Sequence, residues 1–296
     1  MRVWYLSTGR HHGLTIAIGS PGSWCDQSGE HRALAVDPKR PAKWPLLFPN
    51  AGGSRQSPVN IETSLVTSDD SLRNEPLTWK YVPENCFSIN NTGYSWRVDV
   101  NGTGSELIGG PLGNSKYRLE QFHCHWGSDS SQGSEHTVDG KPYAGELHLV
   151  HWNYYKYSSF KEALENSDGL AVLGVLLEVE SQDHPEIDKI VSLIPKIMFK
   201  GQKENISFSI DPAKLLPNDT SYWTYLGSLT TPPCLESVIW ILFKNSIRVS
   251  EKQLNIFRSL RSCQPNSQTE QVLLQNYRPP LPLGNRILRE CTCGSV

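Results

Sequence analysis

The stretch Tyr117-Arg118-Leu119-Glu120-Gln121-Phe122-His123 alternates apolar and polar side chains with a period of two. This period is typical of a β-strand that buries one face. The stretches Trp96-Arg97-Val98-Asp99-Val100 and Glu146-Leu147-His148-Leu149-Val150-His151 repeat the pattern. Leu170 to Val179 and Val238 to Phe243 are apolar runs with β-branched residues, which suit fully buried strands. Together these stretches predict a mainly β protein.

Helical patterns are short and lie between the predicted strands. The best are Ser158 to Asn166, Pro185 to Ile194 and Ser250 to Leu260. The last begins with a serine in the N-cap position and has Gln253 three residues further on, as in a capping box. From Trp44 onward we find no internal repeat and no linker. We therefore expect one α+β domain with a large central twisted mixed sheet and short peripheral helices.

The first 43 residues have a different composition, rich in Gly, Pro, Arg and Ser and without sustained periodicity. This predicts an extended or disordered arm. Because no acidic residue precedes Asp26, a mitochondrial targeting segment is the alternative. We expect an arm over residues 1–43, a folded domain over 44–290 and a C-terminal tail over 291–296.

Charge and cysteine content exclude several classes of function. The net charge of −2 gives no reason to expect a nucleic-acid partner. The longest apolar candidate, Leu170 to Leu177, falls well short of the roughly 18 residues that a membrane span needs. Seven cysteines are an odd number, which predicts free thiols in a reducing compartment rather than a disulfide framework. We therefore expect a cytoplasmic protein, in which its four glycosylation sequons carry no meaning: Asn90, Asn101, Asn205 and Asn218.

Histidines are concentrated in one part of the chain. Of the nine, five fall between residues 123 and 151. His123 and His125 lie on the same face of a predicted strand, and Cys124 points the opposite way. If the strand that carries His148 is the neighbour, a third imidazole completes a set with one position open for water, as in catalytic zinc sites. His-x-His is also common by chance, so the spacing alone leaves structural histidines equally open.

Two polar residues strengthen the metal hypothesis. Gln121 precedes His123 by two residues and therefore shares its face, and Glu146 has the same relation to His148. Amides and carboxylates that accept from the second ring nitrogen are the usual orienting partners of ligand imidazoles. A solvated strand carboxylate is the alternative for Glu146, and its apolar neighbours argue against it.

Long motifs follow one another in the order of a known family. They are Gln56-Ser57-Pro58-Val59-Asn60-Ile61, Gln121 to Gly127, Gly133 to Gly140, Glu146 to Asn153, Tyr222-Trp223-Thr224-Tyr225, Gly227 to Pro233, and Asn276-Tyr277-Arg278-Pro279-Pro280. The chain resembles the α-carbonic anhydrases from about Trp44 to Arg289, and the intracellular animal enzymes most. The resemblance implies zinc-dependent, reversible hydration of carbon dioxide to bicarbonate and a proton, with zinc-bound hydroxide as the nucleophile.

The resemblance also implies roles for individual residues. His123, His125 and His148 would bind Zn2+. Thr230 would accept a hydrogen bond from the zinc hydroxide and donate its own to Glu135. His136 would be a buried structural histidine. The carbon dioxide pocket would be lined by Val150, Val172, Leu229, Thr231, Val238 and Trp240.

The chain departs from the family pattern at the proton relay. Fast members have a histidine where this chain has Tyr94, and a phenol with a pKa near 10 is a poor relay at neutral pH. We therefore expect moderate turnover limited by proton transfer. A mitochondrial class of the family also has tyrosine there, so the mitochondrion is the alternative location.

Two further departures concern the cavity rim and the thiols. Ala33-Leu34-Ala35 stand where the family has Trp-Gly-Tyr, which leaves the outer cavity rim different from the family's. Secreted members join two cysteines where this chain has Ala51 and Cys234, so that bridge cannot form. This favours an intracellular enzyme.

A non-catalytic binding module of the same fold is the alternative function, because some family members lack a zinc-binding histidine. The chain has all three histidines, which argues against this. A zinc peptidase would need a helical His-Glu-x-x-His motif, which is absent from the sequence. The expected partners are carbon dioxide, water and bicarbonate, with no nucleic acid and no membrane span, and the expected state is a monomer.

Overall fold

The computed structural model describes residues 41–269 and 271–292. Most of the predicted arm, with its histidines at positions 11, 12 and 31 and the stretch Ala33-Leu34-Ala35, lies outside the described residues, as does the tail beyond Thr292. In the part that is described, strands dominate, in agreement with the predicted fold class. No helix there is long and apolar enough to cross a membrane.

A sheet of 13 strands forms the centre of the described domain. The strands of the described part are β1 (Asn60–Ile61), β2 (Thr67–Ser68), β3 (Thr78–Lys80), β4 (Cys86–Asn91), β5 (Trp96–Val100), β6 (Glu106–Ile108), β7 (Lys116–Trp126), β8 (Thr137–Val138), β9 (Gly145–Asn153), β10 (Leu170–Glu180), β11 (Lys203–Asn205), β12 (Tyr222–Gly227), β13 (Val238–Phe243), β14 (Ile247–Ser250) and β15 (Arg289–Cys291).

The longest path through the sheet runs β11-β4-β5-β7-β9-β10-β13-β12-β15-β2. Strands β3, β6 and β14 pair beside this path, while β1 and β8 form a separate pair. The sheet is mixed, because β10 pairs in parallel with β13 and β14 whereas most other neighbours are antiparallel.

Helices are short, as predicted. The predicted capping box at the start of α4 is present, since the Ser250 side chain accepts from the Gln253 backbone and the Gln253 side chain accepts in return. The helix predicted from Ser158 is shorter than expected: Ser159 caps it, and the Asn166 side chain bonds back to Glu162 O at its end. The helices are α1 (Trp44–Leu47), α2 (Phe160–Leu164), α3 (Pro185–Leu193) and α4 (Glu251–Arg258), with 3-10 turns at Pro41–Lys43, Pro49–Gly52, Thr63–Leu65, Asp70–Arg73, Pro83–Asn85, Gly110–Leu112, Ile194–Ile197 and Pro212–Leu215.

The two faces of the sheet pack into two different apolar clusters. Along β9, β10 and β13, alternate residues enter the larger cluster, as Leu149 and Leu173 do, or the smaller one, as Val150 and Val172 do. Period-two alternation therefore sorts side chains between the two layers, as expected for strands buried on both faces.

Strand β7 does not keep one alternation throughout. Leu119 and Phe122 both enter the larger cluster, although one position is odd and the other even. The change coincides with a shift of register against β9 between Leu119 and Gln121, which leaves Glu120 as an extra residue. A β-bulge of this kind turns the strand's later side chains to the other face. Because of it, Gln121, and with it the histidines that follow, faces the smaller cluster.

Candidate metal centre

Three imidazoles converge on one face of the sheet. It is the face to which the bulge in β7 turns Gln121 and the histidines after it. Strands β7 and β9 are antiparallel neighbours, and His123 lies directly opposite His148. His125 is two residues further along β7 and faces the same way. The ring centroids are 5.1, 5.3 and 4.7 Å apart, and one nitrogen from each ring lies within 4.8 Å of the others. The structure thus brings together the three residues that the sequence singled out.

Each of these imidazoles has one nitrogen held by the protein and one left over. An amide, a backbone carbonyl and a carboxylate hold the first, which fixes the orientation of each ring. The pairs are His123 Nδ1 with Gln121 Oε1 at 2.8 Å, His125 Nδ1 with the Asn276 carbonyl at 2.8 Å, and His148 Nε2 with Glu146 Oε1 at 2.7 Å.

The remaining nitrogens fit a metal ion. His125 Nε2 is buried and has no hydrogen-bond partner within the described protein. A buried polar atom without a partner is costly, and a metal ion would supply the missing interaction. Burial lowers the pKa of all three imidazoles, that of His123 most strongly. They are therefore neutral at pH 7, which is the form that binds metal.

Glu146 holds more than one partner at once. Its Oε1 bonds His148 and also His136 Nδ1 at 2.7 Å, and its Oε2 accepts from the backbone N–H groups of Glu135 and His136. Burial acts to raise its pKa, but His136 and His148 outweigh it and hold the pKa well below the usual range. Glu146 is therefore an ionised, buried carboxylate, which would offset part of the charge of a bound dication.

A second cluster of possible ligands, His136 with Glu146 and His148, does not form a separate site. Its members bond one another, as the 2.7 Å contacts of Glu146 show. The far nitrogen of His136 is engaged as well, at 2.6 Å from the Tyr225 hydroxyl, which lies 2.9 Å from Ser57 Oγ. These contacts use the ring nitrogens that a second ion would need.

Glu135 lies against the same imidazoles. Its Oε1 accepts from the Arg278 backbone N–H at 2.8 Å, and its Oε2 is 3.9 Å from His148 Nδ1. Burial raises the pKa of Glu135 to about 7, against the lowering effects of His148 and of the nearby Thr230 hydroxyl. Its Oε2 is buried and has no hydrogen-bond partner among the described residues. A bound dication nearby would lower this pKa further and keep Glu135 ionised at neutral pH.

Most of the residues expected to form the substrate pocket lie in or against the smaller apolar cluster, on the face that carries the imidazoles. Val150, Val172, Val238 and Trp240 belong to the smaller cluster, and Leu229 packs against it half-buried. The Trp240 ring lies 4.8 Å from that of His148, and its Nε1 donates to Ser228 O at 3.0 Å. Thr231, by contrast, is exposed.

Tyr94 lies in the loop between β4 and β5. Its ring is half-buried, with the Lys200 ammonium 5.9 Å from the ring centroid. Burial raises the pKa of the Tyr94 phenol above its ordinary value. The phenol is thus even less able to exchange a proton at neutral pH than a free tyrosine.

The residues that the sequence analysis missed lie in one extended segment, residues 273–278, which we call the strap. It has no regular secondary structure, and it supplies the Asn276 carbonyl for His125 and the Arg278 N–H for Glu135. Because both groups belong to the backbone, neither the type nor the spacing of the residues signals them. Only their place in the Asn276–Pro280 motif singled them out.

The positions of the family's disulfide bridge are occupied by an apolar contact. Ala51 and Cys234 are buried in one small cluster with Trp44. Four cysteines of the described part are free thiols: Cys86, Cys124, Cys234 and Cys263.

Comparison with known proteins gives a consistent result. Residues 39–292 match the family model of the eukaryotic-type carbonic anhydrases. The chain is 46% identical over 251 residues to carbonic anhydrase 1 of Mus musculus, an alignment that covers 84% of this chain and 94% of the relative. It is 45% identical over 251 residues to carbonic anhydrase 7 of Homo sapiens, covering 84% and 93% of the two chains.

Proposed function

This chain belongs to the eukaryotic-type carbonic anhydrase family, and we propose that it hydrates carbon dioxide reversibly at a zinc ion bound by His123, His125 and His148. As a carbonic anhydrase it is a lyase. The observation that carries the proposal is the set of three neutral, convergent imidazoles, each held at its other nitrogen. Zinc in such a site lowers the pKa of water to about 7 and so provides hydroxide at neutral pH.

The residues around the ligands keep this geometry fixed. Gln121, Glu146 and the Asn276 carbonyl set the orientation of the three rings, so that their free nitrogens point to one place. Glu146 in addition contributes the negative charge that offsets part of the charge of a dication. These contacts make the site ready before any metal arrives.

Thr230 and Glu135 orient the attacking oxygen. An ionised Glu135 can only accept, so the Thr230 hydroxyl donates to it. The Thr230 oxygen is then left to accept, and with zinc bound it would hold a hydroxide in the orientation that favours attack on the substrate.

The apolar wall beside the imidazoles suits carbon dioxide, which has no net dipole. Val150, Val172 and Val238 are each buried to 4% exposure or less, and Trp240 closes the wall next to His148. We assign Leu229 and Thr231 to the outer part of the pocket. Since the valine and leucine side chains offer no hydrogen bond, substrate is bound weakly and product can leave.

Proton export limits the rate. Tyr94 occupies the relay position, and its raised pKa leaves the phenol protonated at neutral pH. Buffer must then take the proton directly, so turnover is moderate in dilute buffer.

The setting is a reducing compartment, the cytoplasm, with the mitochondrion as the alternative. The free thiols and the Ala51–Cys234 contact support this. The catalytic domain spans residues 44–290, with an arm before it and a tail over 291–296. We propose that the enzyme acts as a monomer on carbon dioxide, water and bicarbonate.

Stopped-flow carbon dioxide hydration, with zinc assayed in the same samples, tests the proposal. His148→Asn should lose both zinc and activity. His184→Asn is the matched control, because asparagine can still cap α3 and His184 lies outside the site. Zinc bound at one ion per chain without hydration would instead support the non-catalytic binding module.

A further inference from the structure

The side chain of Asn276 joins three parts of the chain around the metal centre. Its Oδ1 accepts from the Trp126 backbone N–H at 2.7 Å, and its Nδ2 donates to Tyr94 O at 2.8 Å and to Cys124 O at 3.1 Å. Both amide hydrogens are thus used. None of these bonds involves the Asn276 carbonyl, which holds His125.

The same carbonyl of Cys124 is held from the other side by the Tyr94 loop. Ser95 Oγ donates to Cys124 O at 2.6 Å, and the Cys124 N–H points back to Ser95 Oγ at 3.3 Å. Cys124 lies between the two ligands of β7. The loop and the strap therefore both bond to the backbone of Cys124, whose neighbours His123 and His125 are proposed metal ligands.

The Tyr94 loop is also covered from outside. The methylene groups of Lys200 lie so close to Gly93 that a Cβ there would be 2.6 Å from Lys200 Cδ. The Lys200 ammonium lies over the Tyr94 ring. Because Asn276 and Lys200 both contact the Tyr94 loop, the loop has little freedom to move relative to His123 and His125.

We propose that the Asn276 side chain is a positioning residue that fixes the Tyr94 loop relative to the ligand His125, and so sets where a proton relay at position 94 stands. This inference rests on the proposed function and adds to it the control of relay placement. The two roles of Asn276 can be separated, because every substitution keeps the carbonyl that holds His125 and only the amide is lost.

The test compares Asn276→Ala with the unchanged chain, both alone and in a Tyr94→His background that supplies a relay of suitable pKa. Amide hydrogen exchange of residues 92–95, measured with and without zinc, should accelerate at least about tenfold on loss of the anchoring bonds. Zinc affinity, from chelator competition, should fall by less than the roughly 10- to 100-fold typical of removing a ligand's hydrogen-bond partner. In the Tyr94→His background, hydration in dilute buffer should fall about fivefold or more, a loss of roughly 1 kcal/mol. Hydration in concentrated imidazole should fall far less, because the buffer then takes the proton directly.

Gln275→Ala is the matched control on the strap, since its side chain is exposed and makes one long contact, to Ser128 Oγ at 3.4 Å. If Asn276→Ala does not fold, Asn276→Asp keeps the volume and turns both donors into acceptors, and should give the same pattern. Unchanged exchange at residues 92–95 overturns the proposal, and so does a loss of hydration equal in both buffers. Should the unchanged chain bind zinc and fail to hydrate carbon dioxide, the proposed function fails, and the exchange measurement still decides the anchoring role of Asn276.

Discussion

The strands β7 and β9 on one side and the strap on the other build the candidate metal centre from different parts of the chain. The strands contribute side chains: three imidazoles, Gln121 and Glu146. The strap contributes mainly backbone groups, the carbonyl of Asn276 and the N–H of Arg278. Side chains on a strand point to alternate faces with a period of two. A backbone group, in contrast, can hold a ligand only where the path of the chain brings it within hydrogen-bond distance. The strands therefore determine what binds, and the path of the strap determines how firmly the binding groups are held.

The largest expected effect comes from detaching the strap. Arg278 is 3% exposed and donates to Gln56 Oε1, Ser57 O and Ala51 O. Arg278→Met removes these bonds and leaves buried acceptors unpaired. We expect a loss of about 3 kcal/mol in the free energy of unfolding of the zinc-free protein, measured by urea denaturation.

Arg73→Met is the control for Arg278→Met, because Arg73 is half-exposed and its ion pair with Asp70 is a surface pair. Such pairs contribute about 0–1 kcal/mol. If the two variants lose the same stability, the strap is not anchored through Arg278, and the contrast with the strands fails.

The second-largest expected effect concerns His151, on the face of β9 that points away from the three imidazoles. His151 is fully buried there, with Nε2 2.9 Å from the Tyr81 hydroxyl, and burial lowers its pKa to about 3. In the unfolded chain the pKa returns to about 6.5, so between these values only the unfolded chain takes up the proton. The stability that this neutral imidazole allows is complete above pH 6.5 and declines as the pH falls toward 3.

We therefore expect the zinc-free protein to lose about 2 kcal/mol through His151 alone between pH 7 and pH 5. His151→Gln should lack this part of the pH dependence, because glutamine does not titrate. The measurement is urea denaturation of both proteins at each pH. Identical pH dependence in the two proteins would show that His151 is not held neutral by its surroundings.

Several strands and the three candidate ligands could be predicted from the sequence, because side chains along a strand alternate between its two faces. Strands β5, β9 and β13 follow the period or the apolar content of their residues, and the ends of all three were predicted to within two residues. The ligand set followed from the same rule once β7 and β9 were taken as neighbours. The bulge at Glu120 was not predicted, although the sequence carries its signal: Glu120 and Gln121 are two consecutive polar residues, and they interrupt the alternation between Leu119 and Phe122.

The contacts of the strap and of Glu146 could not be predicted in the same way. Glu146 was expected beside His148, but its bonds to His136 and to two backbone N–H groups depend on the path of the loop before β9. Toward His125 and Glu135, Asn276 and Arg278 act through a backbone carbonyl and a backbone N–H, which residue type does not reveal. Such contacts follow from tertiary structure, and only the family resemblance drew attention to that segment.

A smaller effect tests the strand side of the contrast. Gln121→Ala removes the acceptor for His123 Nδ1 while leaving the imidazoles in place. We expect zinc affinity to fall about tenfold, at the low end for such partners, because His125 and His148 keep theirs. Chelator competition measures this. Lys116→Ala, an exposed position on the same strand, is the control.

A second measurement compares Gln121→Ala with Arg278→Met. The free energy of unfolding of the zinc-free protein should hardly change in Gln121→Ala, in contrast to Arg278→Met. A large loss would mean that strand and strap contribute to stability in the same way.

The smallest effect comes from the N-cap of α4, which the local sequence predicts, although the Ser250 hydroxyl also donates to the distant Asp183. The Ser250 hydroxyl accepts from the Gln253 N–H at 3.1 Å at the start of α4, and the sequence alone predicted this cap. Ser250→Ala should cost about 1 kcal/mol of unfolding free energy, as removal of an N-cap usually does. Zinc affinity should not change, since α4 supplies none of the groups that hold the three imidazoles. Ser192→Ala, at an exposed serine within α3, is the control and should cost less. If Ser250→Ala weakens zinc binding, local elements and the metal centre are coupled beyond the strap, and the division of labour between strands and strap is incomplete.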